Sequence, residues 1–306
     1  MNQYATWVRT LDYVEVTDVE LDNTTYESAE KQYLDNNVDR AIRGFNDYLN
    51  EFPKGLHALK AHFYVAQLYS KKNLLENASP HYSYVVEAAQ SEFTEEALSK
   101  LSQYHLEQKR WEKAIPLLKR LEEEASFPHN VIFAQSNLMK ANYQLQAYKI
   151  AVSYAEKVLS SSNIDNKIKS DAYIIIARSA MKTGDEDKAE LAYKEVEQVA
   201  IGEMAAEALY HDAYFKNKAN NFEASNISVQ KLAKDFSGYK YYSAKGLVLM
   251  SKNFYALDDA FQATYILESV ITNFSEFEDV VSEAKEELST MKKKEAETNA
   301  SIQAED

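Results

Sequence analysis

Cysteine is absent from the sequence, and its absence removes several kinds of site. A chain without thiols forms no disulfide, holds no zinc through thiolates and has no cysteine nucleophile. The glycine patterns of nucleotide-binding loops, G-x-G-x-x-G and G-x-x-x-x-G-K-[ST], are missing too, and no serine lies in a nucleophile elbow. The lack of cysteine is compatible with either an oxidising or a reducing compartment.

Glycine and proline are scarce, with six and four residues in a chain of 306. This composition argues against a loop-rich sandwich or barrel, which needs many turns. No apolar run reaches the ~18 residues that span a membrane. The first residues, MNQYATWVRTLDY, lack the charged start and apolar stretch of a secretory signal. We therefore expect no transmembrane segment, and either a cytoplasmic protein or a piece of a longer exported one.

Basic residues are in deficit: 34 Lys and Arg face 48 Asp and Glu, which gives a net charge of −14. An acidic chain repels phosphate, so we expect no nucleic-acid partner. None of the six histidines lies in an H-E-x-x-H pattern. The acidic runs at 122–124 and 185–187 could attract calcium, but a solvated helix face or a favourable helix start is the simpler interpretation. We predict no catalytic residue, no metal site and no cofactor.

The sequence does contain a repeated unit, seen most clearly as VDRAIRGFNDYLNEFPKG at residues 38–55. The small residue Ala41 is followed by Phe45, Tyr48 and Leu49, which share one face of an amphipathic helix. Pro53 ends that helix, because the residue before a proline is pushed out of the helical region. The unit predicts the second helix of a helix pair.

Seven copies of the unit follow one another. The gaps between their small residues, which we call anchors, are 37, 36, 37, 38, 36 and 38 residues. A near-constant period of this length is typical of a solenoid. Small residues also occur twelve positions before three of the anchors, at Ala66, Ala177 and Ala213, and predict close approach between the two helices of a pair. The anchors are Ala41, Ala78, Ala114, Ala151, Ala189, Ser225 and Ala263.

The ends of the array follow from the same pattern. We predict a short helix and linker at 1–22, seven repeats at 23–275, a capping helix at 276–292 and a disordered tail at 293–306. Thr24 and Glu27 have the spacing of a capping box and predict the start of the first full helix.

This pattern of small and aromatic residues resembles the tetratricopeptide repeat (TPR) over residues 24–275, with a period longer than that family's usual 34. The resemblance implies an all-α, right-handed α-solenoid of about seven helix pairs with a capping helix. The segments YESAEKQYL, YLNEFPKG and FQATYILESVITNF are similar to parts of large cell-envelope TPR proteins of Gram-negative bacteria. That second resemblance implies a periplasmic or outer-membrane-associated location and contact with an envelope complex.

Twenty-two tyrosines stand out in the composition. Some fall where the first helices of a solenoid line its concave groove, and tyrosine suits binding because it offers a large area and a polar tip. Lys140 and Arg178 fall there too, and their charges favour an acidic partner segment. We predict a protein-interaction scaffold that binds a peptide or partner domain in this groove. The predicted groove residues are Tyr64, Gln67, Lys140, Tyr143, Arg178, Tyr210, Tyr214 and Tyr255.

Three alternatives accompany this prediction. Each tyrosine could instead serve packing between repeats. The tyrosines could be stacking platforms of a glycan-binding module of the cell envelope, although such a module needs longer loops than these. An enzyme with scattered catalytic residues is the third alternative.

Overall fold

The computed structural model describes residues 17–305, and in this range it contains fifteen helices and no strand. The all-α prediction is therefore confirmed for that range. The chain divides into two compact units, Met1–Ala147 and Tyr148–Asp306. The short helix predicted at the N-terminus falls mostly on residues 1–16, outside the described residues.

The described part of unit 1, residues 17–147, contains seven helices, and each packs against the next along the chain. The first six form three pairs, and the seventh follows them. Their bounds are α1 Asp18–Leu34, α2 Val38–Glu51, α3 Ala58–Lys71, α4 Leu75–Glu87, α5 Thr94–Glu107, α6 Trp111–Glu124 and α7 Pro128–Gln144.

Unit 2 contains eight helices with the same neighbour-to-neighbour packing. Three pairs lie between its first helix and its last. Their bounds are α8 Tyr148–Leu159, α9 Asn166–Thr183, α10 Glu186–Val199, α11 Glu203–Lys218, α12 Phe222–Asp235, α13 Lys240–Ala256, α14 Ala260–Asn273 and α15 Glu278–Glu305. We predicted α7 and α8 as the fourth pair, and they fall in different units. The count of seven pairs and the right-handed twist remain predictions.

All seven anchors are buried, each with at most 1% of its surface exposed. The three small residues predicted in the first helices, Ala66, Ala177 and Ala213, are fully buried as well. A methyl or hydroxymethyl group at these positions lets two helices approach closely, which a larger side chain would prevent. The repeat spacing read from the sequence is therefore confirmed by burial.

Every turn after a predicted first helix has the same backbone geometry. The residue five positions before each anchor has a positive φ, between 53° and 78°. The next residue donates its backbone N–H to the carbonyl five positions earlier, at 2.8–3.0 Å, which is a Schellman motif. In the sequence, Gly184 lies in the short turn between two predicted helices, where glycine suits a left-handed C-terminal cap, and the structure confirms this cap. The seven left-handed residues are Asn36, Asn73, Lys109, Gln146, Gly184, Asn220 and Asp258.

The predicted start of the first full helix is wrong. Helix α1 begins at Asp18, and its capping box is formed by Thr17 and Glu20. The Thr17 backbone N–H donates to Glu20 Oε2 at 2.8 Å, and Thr17 Oγ1 accepts from the Glu20 N–H at 3.2 Å. Thr24 and Glu27 lie inside the helix, because a preceding cap already satisfies its first N–H groups.

The last helix is longer than the capping helix predicted at 276–292. Helix α15 continues past residue 292 to Glu305, where a disordered tail was expected. The physical reason is propensity: residues 293–305 are rich in Lys, Glu and Ala and contain neither glycine nor proline. Lys293 and Glu297 add an i,i+4 ion pair at 3.9 Å.

Candidate functional site

The first-helix face of unit 1 contains a ladder of aromatic and polar contacts. Tyr33 and Tyr64 stack with their ring centroids 4.2 Å apart. The Tyr33 hydroxyl donates to Gln67 Oε1 at 2.9 Å, and the Gln67 amide donates to Glu96 at 3.0 Å. The predicted groove residues Tyr64 and Gln67 are therefore brought together, and both are half-buried in contacts within the unit.

Glu30 lies three residues before Tyr33 on α1 and accepts two hydrogen bonds. The Tyr26 hydroxyl donates to Glu30 at 2.7 Å, and the Lys60 ammonium donates at 2.9 Å. Burial opposes ionisation of Glu30, but these donors outweigh it and hold its pKa below the usual range. Lys60 also lies over the rings of Tyr26 and Tyr64, 5.6 Å from each centroid. This lysine is thus held by a carboxylate and two aromatic rings.

Lys140 and Tyr143 lie half-buried on α7, at the end of unit 1. We predicted them beside Arg178, Tyr210 and Tyr214 on one strip. Those three residues belong to unit 2, so the strip as a whole remains a prediction.

Unit 2 contains a buried carboxylate, Glu207, which is 4% exposed. Arg178 donates to it through Nε at 2.9 Å and through a terminal nitrogen at 2.5 Å. The hydroxyls of Tyr193 and Tyr242 donate at 2.9 and 2.7 Å. Burial raises the pKa of Glu207, and the arginine and the two tyrosines more than reverse this, so its pKa lies below the usual value. Four helices, α9, α10, α11 and α13, meet at this one carboxylate.

This cluster changes the interpretation of Arg178. The sequence suggested that its charge faces a partner, and the structure pairs it with a buried carboxylate in a bidentate contact. Glu207 and Tyr242 were not predicted as functional residues. The spacing could have indicated the pair, because Arg178 lies eleven positions before one anchor and Glu207 eighteen before the next.

His211 lies beside this cluster on α11. Its ring stacks on Tyr193 with a centroid distance of 3.9 Å. Burial is the main cause that lowers its pKa to about 4, so the ring is neutral at pH 7. A neutral ring adds no charge next to Arg178.

The predicted groove tyrosines of unit 2 take part in packing. Tyr210 and Tyr214 pack against the buried cluster around Ala213, Val229 and Leu249. Burial is the main cause that raises the pKa of Tyr210. These contacts indicate that both tyrosines pack between helices. Each also keeps some exposed surface.

Tyr255, on α13, is covered from the C-terminal side. Its hydroxyl donates to Glu295 at 3.2 Å, and Lys294 lies 6.0 Å from its ring centroid. Both partners belong to α15, which occupies the place where a further repeat would continue the array. Tyr255 is therefore engaged with the chain's own last helix.

Four polar contacts, two in each unit, follow one rule. A residue eleven positions before an anchor contacts the residue eighteen before the next anchor, or its counterpart on α15. The four contacts of this kind are Glu30 with Lys60 at 2.9 Å, Gln67 with Glu96 at 3.0 Å, Arg178 with Glu207 at 2.9 Å and Lys252 with Glu283 at 2.7 Å.

One pair of positions in unit 2 departs from this rule. Tyr214 lies eleven positions before Ser225, and Lys245 lies eighteen before Ala263. The lysine therefore has a tyrosine, and no acid, at the corresponding position. The Lys245 ammonium lies 4.7 Å from the ring centroid of Tyr210 and 5.7 Å from that of Tyr241. Within the side chains that the structure describes, no carboxylate lies at ion-pair distance from it. The sequence analysis did not select Lys245.

Other chemistry was sought across residues 17–297. No group of three or more His, Asp or Glu side chains in this range is placed to hold a metal ion. His62 and His81 face each other with 2.8 Å between their Nδ1 atoms, and they form an isolated pair. Every helix in the described part of the chain is too short or too polar to cross a bilayer.

No protein-family model matches the sequence, and no curated protein matches it. Solved structures do resemble the fold. A STAND signal-transduction ATPase with a tetratricopeptide-repeat sensor, from Pyrococcus horikoshii, is 16% identical with a TM-score of 0.51. The match covers 84% of this chain and 42% of that protein, so the chain spans less than half of its length.

Two further structures are similar to the chain with lower scores. YrrB, described as a TPR protein with an unusual peptide-binding site, is 15% identical with a TM-score of 0.47, over 61% of this chain and 90% of that one. A tetratricopeptide repeat protein from Parabacteroides merdae is 14% identical with a TM-score of 0.42, over 86% and 98%.

Buried anchors at one period, seven turns of one geometry and the likeness to a protein that contains tetratricopeptide repeats agree with one another. The chain therefore has the all-α solenoid fold of tetratricopeptide-repeat proteins.

Proposed function

We propose that the chain is a non-catalytic protein-interaction scaffold that binds a peptide or a partner domain on the face formed by its first helices. The observation that carries the proposal is the periodic array itself. Helix pairs repeated at one spacing produce extended binding surfaces, because each repeat presents the same face in turn. The function then depends on surface complementarity and needs no reacting group.

The first-helix faces have the composition that such a role needs. Tyr64 and Gln67 in unit 1, and Tyr210 and Tyr214 in unit 2, are half-buried and anchored by their neighbours. Side chains that are already ordered lose little conformational entropy when a partner binds. Tyrosine is also among the residues that contribute most to binding energy. A partner of these faces would therefore meet a pre-organised surface.

The glycan-binding alternative gains no support from the described residues. The turns between paired helices are short, and a sugar pocket needs longer loops. The envelope association suggested by sequence resemblance stays a prediction.

The proposal can be tested by affinity capture from cell-envelope extracts with matched variants. Tyr64→Ser and Tyr214→Ser each remove a ring from a first-helix face. Tyr265→Ser is the control, because Tyr265 is 63% exposed on a second helix, α14. We expect one protein to be retained by the wild type and the control, and to be lost with a first-helix variant.

Two outcomes would contradict the proposal. Retention that no first-helix variant alters would place binding elsewhere on the chain. Retention of carbohydrate after protease treatment of the extract would favour the glycan-binding alternative. Urea unfolding of each variant would separate lost binding from lost folding.

A further inference from the structure

Lys245 differs from the other cations on the first-helix faces. Lys60, Arg178 and Lys252 each contact a carboxylate at 2.5–2.9 Å. Lys245 lies eighteen positions before an anchor, as Lys60 does, and is held by the rings of Tyr210 and Tyr241 instead. An aromatic face steadies an ammonium group and leaves its full positive charge in place.

The acids nearest to this site are already engaged. Glu207 accepts from Arg178, Tyr193 and Tyr242. Asp279 accepts from the Tyr241 hydroxyl at 2.8 Å.

Glu283 pairs with Lys252 at 2.7 Å, and Glu287 shares that lysine at 3.1 Å. None of these carboxylates lies at ion-pair distance from Lys245. The charge of Lys245 is thus balanced only at longer range.

The position of the ammonium favours a strong contact with an incoming anion. Lys245 is half-buried, so fewer water molecules screen its charge than at an open surface. Its side chain is already restrained by two rings, which reduces the entropy lost on pairing. Tyr214, eleven positions before Ser225, is half-buried on the neighbouring first helix and packs against the same cluster as Tyr210. A carboxylate from a partner would pair with Lys245 as Glu207 pairs with Arg178 and Glu283 pairs with Lys252.

We propose that Lys245, with the rings of Tyr210 and Tyr241 beside it, is a subsite for a carboxylate of a bound protein segment. This inference rests on the proposed function, since it names the chemistry that the partner brings to the first-helix face. The carboxylate belongs to an Asp or Glu side chain or to a chain terminus. Polyanions are a poor fit, because the surrounding protein is acidic and repels extended negative charge.

The test uses random peptides selected on the whole immobilised chain. The selected peptides are then synthesised in matched forms, with each Asp or Glu replaced by Asn or Gln, and with an acid or an amide at the C-terminus. Calorimetry measures their binding to the wild type, to Lys245→Met and to Lys240→Met. Lys240 is an exposed lysine at the start of the same helix and serves as the control.

We expect removal of one carboxylate to weaken binding to the wild type by about tenfold, as expected for a close charge pair. The same peptide change should have little effect on Lys245→Met, because the charge it contacts is already absent. If Lys245→Met fails to fold, equal binding of the acidic and amide peptides to the wild type would still overturn the subsite. The form that loses affinity, side-chain amide or C-terminal amide, identifies the source of the carboxylate.

Acidic and amide peptides that bind the wild type equally would overturn the subsite and leave the scaffold proposal standing. Equal binding to Lys245→Met and the wild type, with the carboxylate effect retained, would overturn it too. A selection that yields no peptide sensitive to Tyr64→Ser or Tyr214→Ser would count against the scaffold itself, and therefore against both proposals.

Discussion

Arg178 and Glu207 form a bidentate ion pair between α9 and α11, with the carboxylate 4% exposed and the arginine side chain 36% exposed. The geometry is the strongest that an arginine and a carboxylate can adopt. Two tyrosine hydroxyls satisfy the remaining acceptor capacity of Glu207. The pair therefore joins successive repeats of unit 2 through a fully hydrogen-bonded buried charge.

Removal of the arginine should be costly. Arg178→Met leaves Glu207 buried without its cation, and we expect a loss of about 2–3 kcal/mol in the free energy of unfolding. This lies at or below the lower end of the range for broken buried pairs, because the arginine is partly exposed. Urea unfolding at pH 7 measures the change. Lys194→Met is the control, since Lys194 pairs with Glu190 on the surface at 2.7 Å and should cost about 0.5 kcal/mol or less. Equal losses in the two variants would show that the Glu207 cluster is not a stabilising centre.

Stability should fall as the pH drops below neutral, because buried histidines resist protonation. The pKa of His62 and of His211 is lowered from 6.5 to about 4, mainly by burial. Below pH 6.5 the unfolded chain therefore binds protons that the folded chain does not, so stability is fully present above pH 6.5 and is lost as the pH falls towards 4. We expect His62→Gln to flatten the dependence of unfolding free energy on pH in this window.

The control for this pH dependence is His129→Gln, because His129 is exposed. In this variant the loss of stability that His62 and His211 cause below pH 6.5 should remain. A His62→Gln curve as steep as the wild type would show that His62 is protonated equally in the folded and unfolded chains.

The left-handed turn residues give a prediction with opposite signs at two sites. Lys109 has φ 53° and Gly184 has φ 78° in the same Schellman geometry. A side chain strains this conformation by about 1–2 kcal/mol, and glycine does not. We expect Lys109→Gly to stabilise the chain by about 0.5–1 kcal/mol and Gly184→Ala to destabilise it by about 1 kcal/mol.

Asn220→Gly is the matched control for the turns. Asparagine tolerates this region, so the change should be a few tenths of a kcal/mol. Thermal or urea unfolding measures all three variants. Destabilisation by Lys109→Gly would mean that the lysine side chain contributes more than the strain it causes.

The anchors should tolerate no large charged group. Ala189 is fully buried and packs between helices of unit 2, so Ala189→Arg adds both overpacking and a buried charge. We expect destabilisation beyond the ~1–3 kcal/mol of overpacking alone. Leu191→Arg, two residues later and 66% exposed, should change stability by less than ~0.5 kcal/mol. Similar melting temperatures for the two variants would contradict the repeat spacing; Ala151→Arg in α8 gives an independent check.

The sequence alone determined the helical repeat. Its anchors are buried where predicted, and the Gly184 turn has the predicted left-handed cap. These features are local or periodic. The helix period alone places small residues at a fixed spacing on the face that packs against the partner helix. The helix ends were harder to predict. Thr17, and not Thr24, caps α1. Helix propensity extends α15 beyond its apolar residues.

Only the tertiary structure decided which charges are paired within the chain. The sequence assigned Arg178 to the groove, and packing brought Glu207 against it; the sequence passed over Lys245, and packing left it among tyrosines without an acid. The field of a charge depends on what lies within a few ångströms, and Glu207 and Tyr210 come from helices 29 and 35 residues away from Arg178 and Lys245 along the chain. The repeat therefore follows from the sequence, whereas the chemistry of its surface follows from how successive repeats meet.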